Sequence, residues 1–169
     1  MKYKFFLILL SLALMLCSCQ TNQTSQKYTV TFYYIQNELE FGTDTGVIKS
    51  TVREFNEFRN DYFYLISQYL NGPTSYDCIS PFPAGTTLEE LNWDQNRVQI
   101  VLSPHIATLS GMDLMVACAC LTETVTELTG INTVQIRCSK GLLNGEKVIT
   151  LTPGSFMYSD QATPYDTVN

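Results

Sequence analysis

A single histidine, His105, is the only imidazole that could serve as a base or a metal ligand. It follows Ser103-Pro104, just after a strand-like run. Nucleophilic catalysis would need a serine, cysteine or threonine brought beside it in space, and an acid to orient the ring. Nothing near it resembles a nucleophile elbow, so a loop histidine is the simpler reading. Six cysteines invite redox or zinc chemistry. Cys17 and Cys19 fall in the amino-terminal leader, which leaves Cys78, Cys118, Cys120 and Cys138. No pair among these four has the spacing of a zinc knuckle. Cys118 and Cys120 fall in a helical pattern, where two residues turn the side chain by about 200°. Cys118 is therefore expected to face the core and Cys120 the solvent. Outside the cytoplasm a disulfide among the four stays open. The paired acids Glu38/Glu40, Glu89/Glu90 and Glu123/Glu127 could be imagined as a glycoside-cleaving couple. Glu123 and Glu127 lie one helical turn apart, an ordinary pattern for a helix surface. No phosphate loop, dinucleotide fingerprint or EF-hand pattern is present. The reading is of no catalytic residues, no metal and no cofactor.

The leader points to a place. Lys2 and Lys4 precede an apolar run of twelve, Phe5 to Leu16, too short to span a bilayer and right for a signal segment. Leu16-Cys17-Ser18-Cys19 then resembles a lipoprotein signal, with Cys19 as the lipidated residue. Cys17 fits less well, because Leu16 would fill the pocket that needs a small residue. An ordinary secretory signal is the alternative. Two acyl chains suffice for stable anchoring. After cleavage, eight Lys and Arg stand against sixteen Asp and Glu, a formal balance of −8. Such a balance argues against nucleic acid and against docking on an anionic leaflet by charge. The expected divisions are a signal peptide at 1–18, lipidated Cys19 with a polar tether at 19–27, one folded domain at 28–152, and a loose tail at 153–169. The tether reaches about 27 Å at most. The expected location is the extracytoplasmic face of the cell membrane.

The elements that must position these residues follow from periodicity. Tyr28–Ile35 and Val47–Arg53 read as strands, rich in aromatic and β-branched residues. Phe55, Phe58, Tyr62, Leu65, Ile66 and Tyr69 recur at helical spacing. They predict a helix over 54–70, with Thr51 and Glu54 as a capping-box pair and Gly72-Pro73 as its stop. Strands are expected at 86–93 and 96–103, and a second helix after a capping-box-like start at Ser110, ending at Thr129-Gly130. Strands at 132–138 and 147–152, with a turn at Asn144-Gly145, close the domain. The order β-β-α-β-β-α-β-β predicts a compact two-layer α+β fold. Two helices would pack on one face of a mixed or mostly antiparallel sheet.

Four stretches carry a resemblance. VTFYYI opens the domain, QYLNGP ends the first helix, PFPAGTTL gives a Pro-x-Gly-Thr turn, and NRVQIVLS and NTVQIRC flank the second helix. Together they resemble the GerM domain family of lipoproteins tied to sporulation and spore germination. The resemblance spans about 28–152; Ser139-Lys140-Gly141 departs from the acidic residue that the family often places before that glycine. It implies that Gly72, Pro73, Pro83, Gly85 and Thr86 are a helix stop and a strand start, and not a catalytic loop. It also implies a non-catalytic interaction or assembly module. Its partners would be the membrane, through the lipid, and a membrane or envelope protein, with self-association open and no nucleic acid. A GerM protein resembles a tandem of two such domains, whereas this chain carries one. A binding module for a small molecule or wall fragment is the alternative reading, and a wall hydrolase a third.

Overall fold

Alternating aromatic and β-branched residues make the first strand, β1, at Tyr28–Gln36, with Val30, Phe32 and Tyr34 buried on one face. The computed structural model describes residues 27–37 and 47–155. The expected signal peptide, Cys19, the Glu38/Glu40 pair and the tail beyond Ser155 lie outside these residues. β2, Ile48–Phe55, pairs antiparallel with β1 from Tyr28↔Phe55 to Ile35↔Ile48. A two-residue strand, β3 at Cys78–Ile79, pairs with the other edge of β1 only at Ile35 and Gln36. The first sheet therefore runs β2-β1-β3.

β4 (Leu88–Trp93), β5 (Arg97–Leu102), β6 (Thr133–Cys138) and β7 (Ile149–Leu151) make a second sheet in that order. β5 and β6 are parallel. A parallel pair needs a long crossover, and helix α2, Gly111–Thr129, supplies it. Gly130, at φ 72°, ends that helix in the left-handed conformation. Asn144 and Gly145, at φ 51° and 89°, form the two-residue turn whose flanking residues Leu143 and Glu146 exchange backbone hydrogen bonds at 2.8 and 3.0 Å.

The α+β class and the order of the long elements are as the periodicity predicts, and three details differ. The first helix, α1, is Tyr62–Leu70 and not 54–70. β2 continues through Phe55 because Val52, Arg53 and Glu54 find partners on β1. Phe55 stacks on Tyr28 at 5.9 Å, so its apolar side chain is used by the strand. Phe58 takes a left-handed φ of 64°, which breaks the chain before the helix. Thr51 and Glu54 are strand residues; the cap is Asp61, whose Oδ1 accepts from Tyr64 N at 2.9 Å. Ser110 stands at the N-cap position of α2, but its hydroxyl makes no capping bond.

Second, the strands divide into two sheets, and α2 is covered on two sides. It packs against β1 as well as on β6 and β7. Cys120 is therefore fully buried, against the expectation that it faces solvent. Cys120 and Thr124, four residues apart, share one helix face. Thr124 Oγ1 accepts from the backbone N of Tyr33 at 3.0 Å, so this face meets the edge of β1 that β3 leaves open. Third, the segment after β7 starts held: Gly154 N donates to Glu123 Oε1 at 3.2 Å, and Ser155 N to Thr152 O at 3.0 Å.

Candidate functional site

Gly72 and Pro73 close α1. Gly72 has φ 94° and its N donates to Tyr69 O at 3.0 Å. Its own carbonyl is held by Arg53, whose Nη2 donates at 2.8 Å, while Arg53 Nη1 donates to Gln68 O at 3.1 Å. Helix carbonyls at a carboxyl end lack internal partners and attract a cation; here Arg53 of the preceding strand, β2, provides it. The guanidinium also lies over the Phe32 ring, 5.1 Å from its centroid.

Pro83 to Thr86 form a tight turn. Thr86 N and Thr86 Oγ1 both donate to Pro83 O, at 3.1 and 2.8 Å. Gly85 has φ 84°, as a type II turn requires at its third position. A side chain there would meet the His105 ring, with Nε2 3.4 Å from an ideal Cβ. The histidine therefore lies against the turn. Its Nδ1 is 3.2 Å from Ser103 Oγ, and that same oxygen accepts from Thr87 N at 3.0 Å. Ser103 is buried, whereas His105 is exposed in a short 3-10 turn at Pro104–Thr108. The serine hydroxyl thus tethers two turns. The two punctuation motifs are ends of one packed connection: Phe82 stands edge-on to Tyr69 at 6.0 Å, and Ser80 lies beside Gly72.

The four cysteines of the domain are free and buried. Burial pushes the thiols of Cys118 and Cys120 up to about 12, so neither is a nucleophile near neutral pH. Among the described residues, no three His, Cys, Asp or Glu side chains gather as a metal site, and no helix is long and apolar enough to cross a membrane. Glu89 and Glu90 are exposed on β4, and Glu127 is exposed near the end of α2.

The open surfaces are sheet edges. β2 is an edge strand of eight residues, and Val52 within it is 67% exposed. β4 is one edge of the second sheet, with β7 at the other, and carries the half-exposed Trp93, whose ring meets Tyr62 at 5.8 Å. A groove of about 350 Å³ lies between β1, the segment before α1 and the end of α2. Its lining includes Tyr28, Thr31, Arg59, Leu65 and Glu127. Sequence periodicity marks none of these features, because an edge is defined by what fails to pair with it.

Residues 31–141 match the family model Germane, described as sporulation and spore germination. The chain belongs to that family. Two solved structures share the fold. Tandem GerMN domains of the sporulation protein GerM from Bacillus subtilis superpose with a TM-score of 0.59 at 16% identity, covering 81% of this chain and 49% of that one. The first GerMN domain of the same protein gives 0.56 at 16% identity, covering 75% of this chain and 96% of that one. This chain therefore spans about half of the tandem structure. No curated protein matches by sequence.

Proposed function

We propose that this protein is a non-catalytic contact module of the cell envelope, anchored by lipid on Cys19, that acts in sporulation or spore germination. Family membership supports the sporulation link. The observation that carries the contact role is the outer edge of β2, with which no strand among the described residues pairs. Gln36 N donates to Val47 O at 2.9 Å. In an antiparallel ladder the backbone groups alternate sides, so Ile48, Ser50, Val52 and Glu54 turn theirs away from β1. An edge of that length is a template for another strand. The chain's net acidic charge disfavours unspecific association.

The test is capture of partners from membranes of growing and sporulating cells. Val52→Lys places a charge on the edge and should abolish capture while the fold persists. Cys19→Ala should release the protein from the membrane fraction and remove lipid label. Retention of the lipid label in Cys19→Ala would refute the anchor. Hydrolysis of wall polymer by the purified protein, lost on combined replacement of His105, Glu123 and Glu127 by alanine, would refute the non-catalytic reading.

A further inference from the structure

The inner edge of β1 is open over its first half, and this second edge is unlike β2. Asn37 N donates across to Asp77 O at 2.9 Å, and Tyr33 N to Thr124 Oγ1 at 3.0 Å. Gln36 N points the other way, to Val47 on the β2 side. Alternation along the strand then turns the N–H and C=O of Thr29 and Thr31 away from β2, on the edge continuous with β3. β3 stops at the level of Ile35, and the side chains of Thr124 and Tyr69 take over at Tyr33, where Tyr69 Oη donates to the carbonyl at 2.9 Å. Below Tyr33 no element among the described residues pairs with the edge, and the groove of about 350 Å³ begins. Thr29, Thr31, Arg59 and Glu127 line it together.

We propose that this groove is a β-augmentation slot that binds one extended peptide segment of another protein, its backbone pairing with Thr29 and Thr31. Two residues of strand advance about 6.8 Å, so the slot between Tyr28 and Thr31 takes roughly three or four residues of ligand. Flanking by α1 and the end of α2 excludes a folded sheet edge, which would bring neighbouring strands with it; a single extended chain fits. Arg59 from the segment before α1 and Glu127 from α2 offer opposite charges to that chain, so the preferred ligand carries one acidic and one basic side chain. Arg59 is itself steadied over the Tyr28 ring, 5.7 Å from its centroid. The inference rests on the reading of the domain as a contact module, and it assigns a site separate from the β2 edge.

The probe is a capped hexapeptide of alternating threonine and valine with lysine at one end and aspartate at the other, made in both chain directions. It is titrated into the full chain in detergent, with backbone amide resonances observed by NMR. Saturable shifts and slowed hydrogen exchange are expected at the amides of Thr29 and Thr31, with a preference for one chain direction. Arg59→Glu combined with Glu127→Arg should reverse that preference. Thr31→Pro removes a groove-facing donor and leaves the β2 ladder paired, so affinity should fall about tenfold or more. Should that variant fail to fold, the same peptides with N-methylated amides decide the matter on the unaltered chain, and they should not bind. Equal binding of N-methylated peptides, shifts confined to β2 or β4, or amides of Thr29 and Thr31 already protected without peptide would each overturn the slot. Partner capture that survives Thr31→Pro but is lost in Val52→Lys would overturn the slot as the partner site and leave the contact module standing. Peptide binding without any partner capture would do the reverse.

Discussion

Tyr34 and Tyr69 stack on each other, and each hydroxyl donates to a backbone carbonyl of the element that carries the other ring. Tyr34 Oη donates to Tyr69 O at 3.0 Å, Tyr69 Oη donates to the Tyr33 carbonyl at 2.9 Å, and the rings stack with centroids 4.9 Å apart. Both rings are fully buried. The pair fastens α1 to the central strand and supplies the carbonyl of Tyr33 with the partner that a neighbouring strand would otherwise give. Tyr69 also contacts Phe32 and Phe82, at 5.7 and 6.0 Å, so it is the hinge point of the aromatic core.

Removing either hydroxyl leaves a buried carbonyl with one partner fewer. Tyr34→Phe and Tyr69→Phe should each cost about 1–2 kcal/mol. The double variant should lose less than the sum, because the two bonds share one ring stack. Urea titration of the four proteins measures the coupling; strict additivity would show that the two bonds act independently.

Stability should fall in alkali. Burial pushes Tyr34 up to about 12 from 10.0, with Arg53 partly opposing, and pushes Cys118 and Cys120 up to about 12 from 9.0. Tyr69 is raised too, by burial first. Between pH 9 and 12 the unfolded chain has released protons that the folded chain keeps, so the unfolded state is favoured as pH rises. The contribution is complete below about pH 9 and is lost toward pH 12. Urea midpoints from pH 7 to 11 should be level and then decline, with a shallower decline in Cys118→Ala/Cys120→Ala. An equally steep decline in that variant would rule out the thiols as a cause.

Gly85 is constrained twice, by its φ of 84° and by the His105 ring 3.4 Å from where a Cβ would lie. An alanine there is strained by its backbone at about 1–2 kcal/mol. The exposed ring can yield by a few tenths of an ångström. Gly85→Ala should therefore lower the thermal midpoint by several degrees, and His105→Ala added to it should restore little. Full restoration would put the cost in the ring contact instead.

The strands were legible where buried and exposed residues alternate. β5 alternates buried Val98, Ile100 and Leu102 with more exposed neighbours, and its strand was plain. α2 was legible as a helix but not in its orientation, since Ala-Cys-Ala-Cys packs small side chains on both sides and shows no polar face to mark the solvent. The start of α1 is not legible, because Phe55 and Phe58 continue the helical spacing of Tyr62 and Leu65. Phe55 serves a strand, and the left-handed Phe58 leaves no sequence signal, since glycine or asparagine is the usual marker of that conformation. The glycine turns were readable from residue type alone. Arg53 and the groove were not, because each joins side chains from different elements. The Ser103–His105 contact, though its residues are only two apart in the chain, depends on the 3-10 turn that bends one residue back on the other.

The end of α1 gives a prediction that joins a legible residue to a hidden one. Arg53 donates to the carbonyls of Gln68 and Gly72 at 3.1 and 2.8 Å, and the second bond needs the carbonyl direction set by the φ of 94° at Gly72. Arg53→Met keeps the apolar stem near Phe32 and removes the donors, at a cost of about 2 kcal/mol for two half-buried charge-assisted bonds. Arg53→Lys should recover only part of this, since an ammonium lacks the planar fork that reaches both oxygens. Gly72→Val forces a branched side chain into a left-handed position and should cost about 1–2 kcal/mol. Because valine would also turn the carbonyl away from Arg53, the double variant should lose roughly 0.5–1 kcal/mol less than the sum of the two. Thermal and urea unfolding of wild type, both single variants and the double variant measure that difference. Additivity within the error of the cycle would mean that the guanidinium holds the helix end without depending on the glycine.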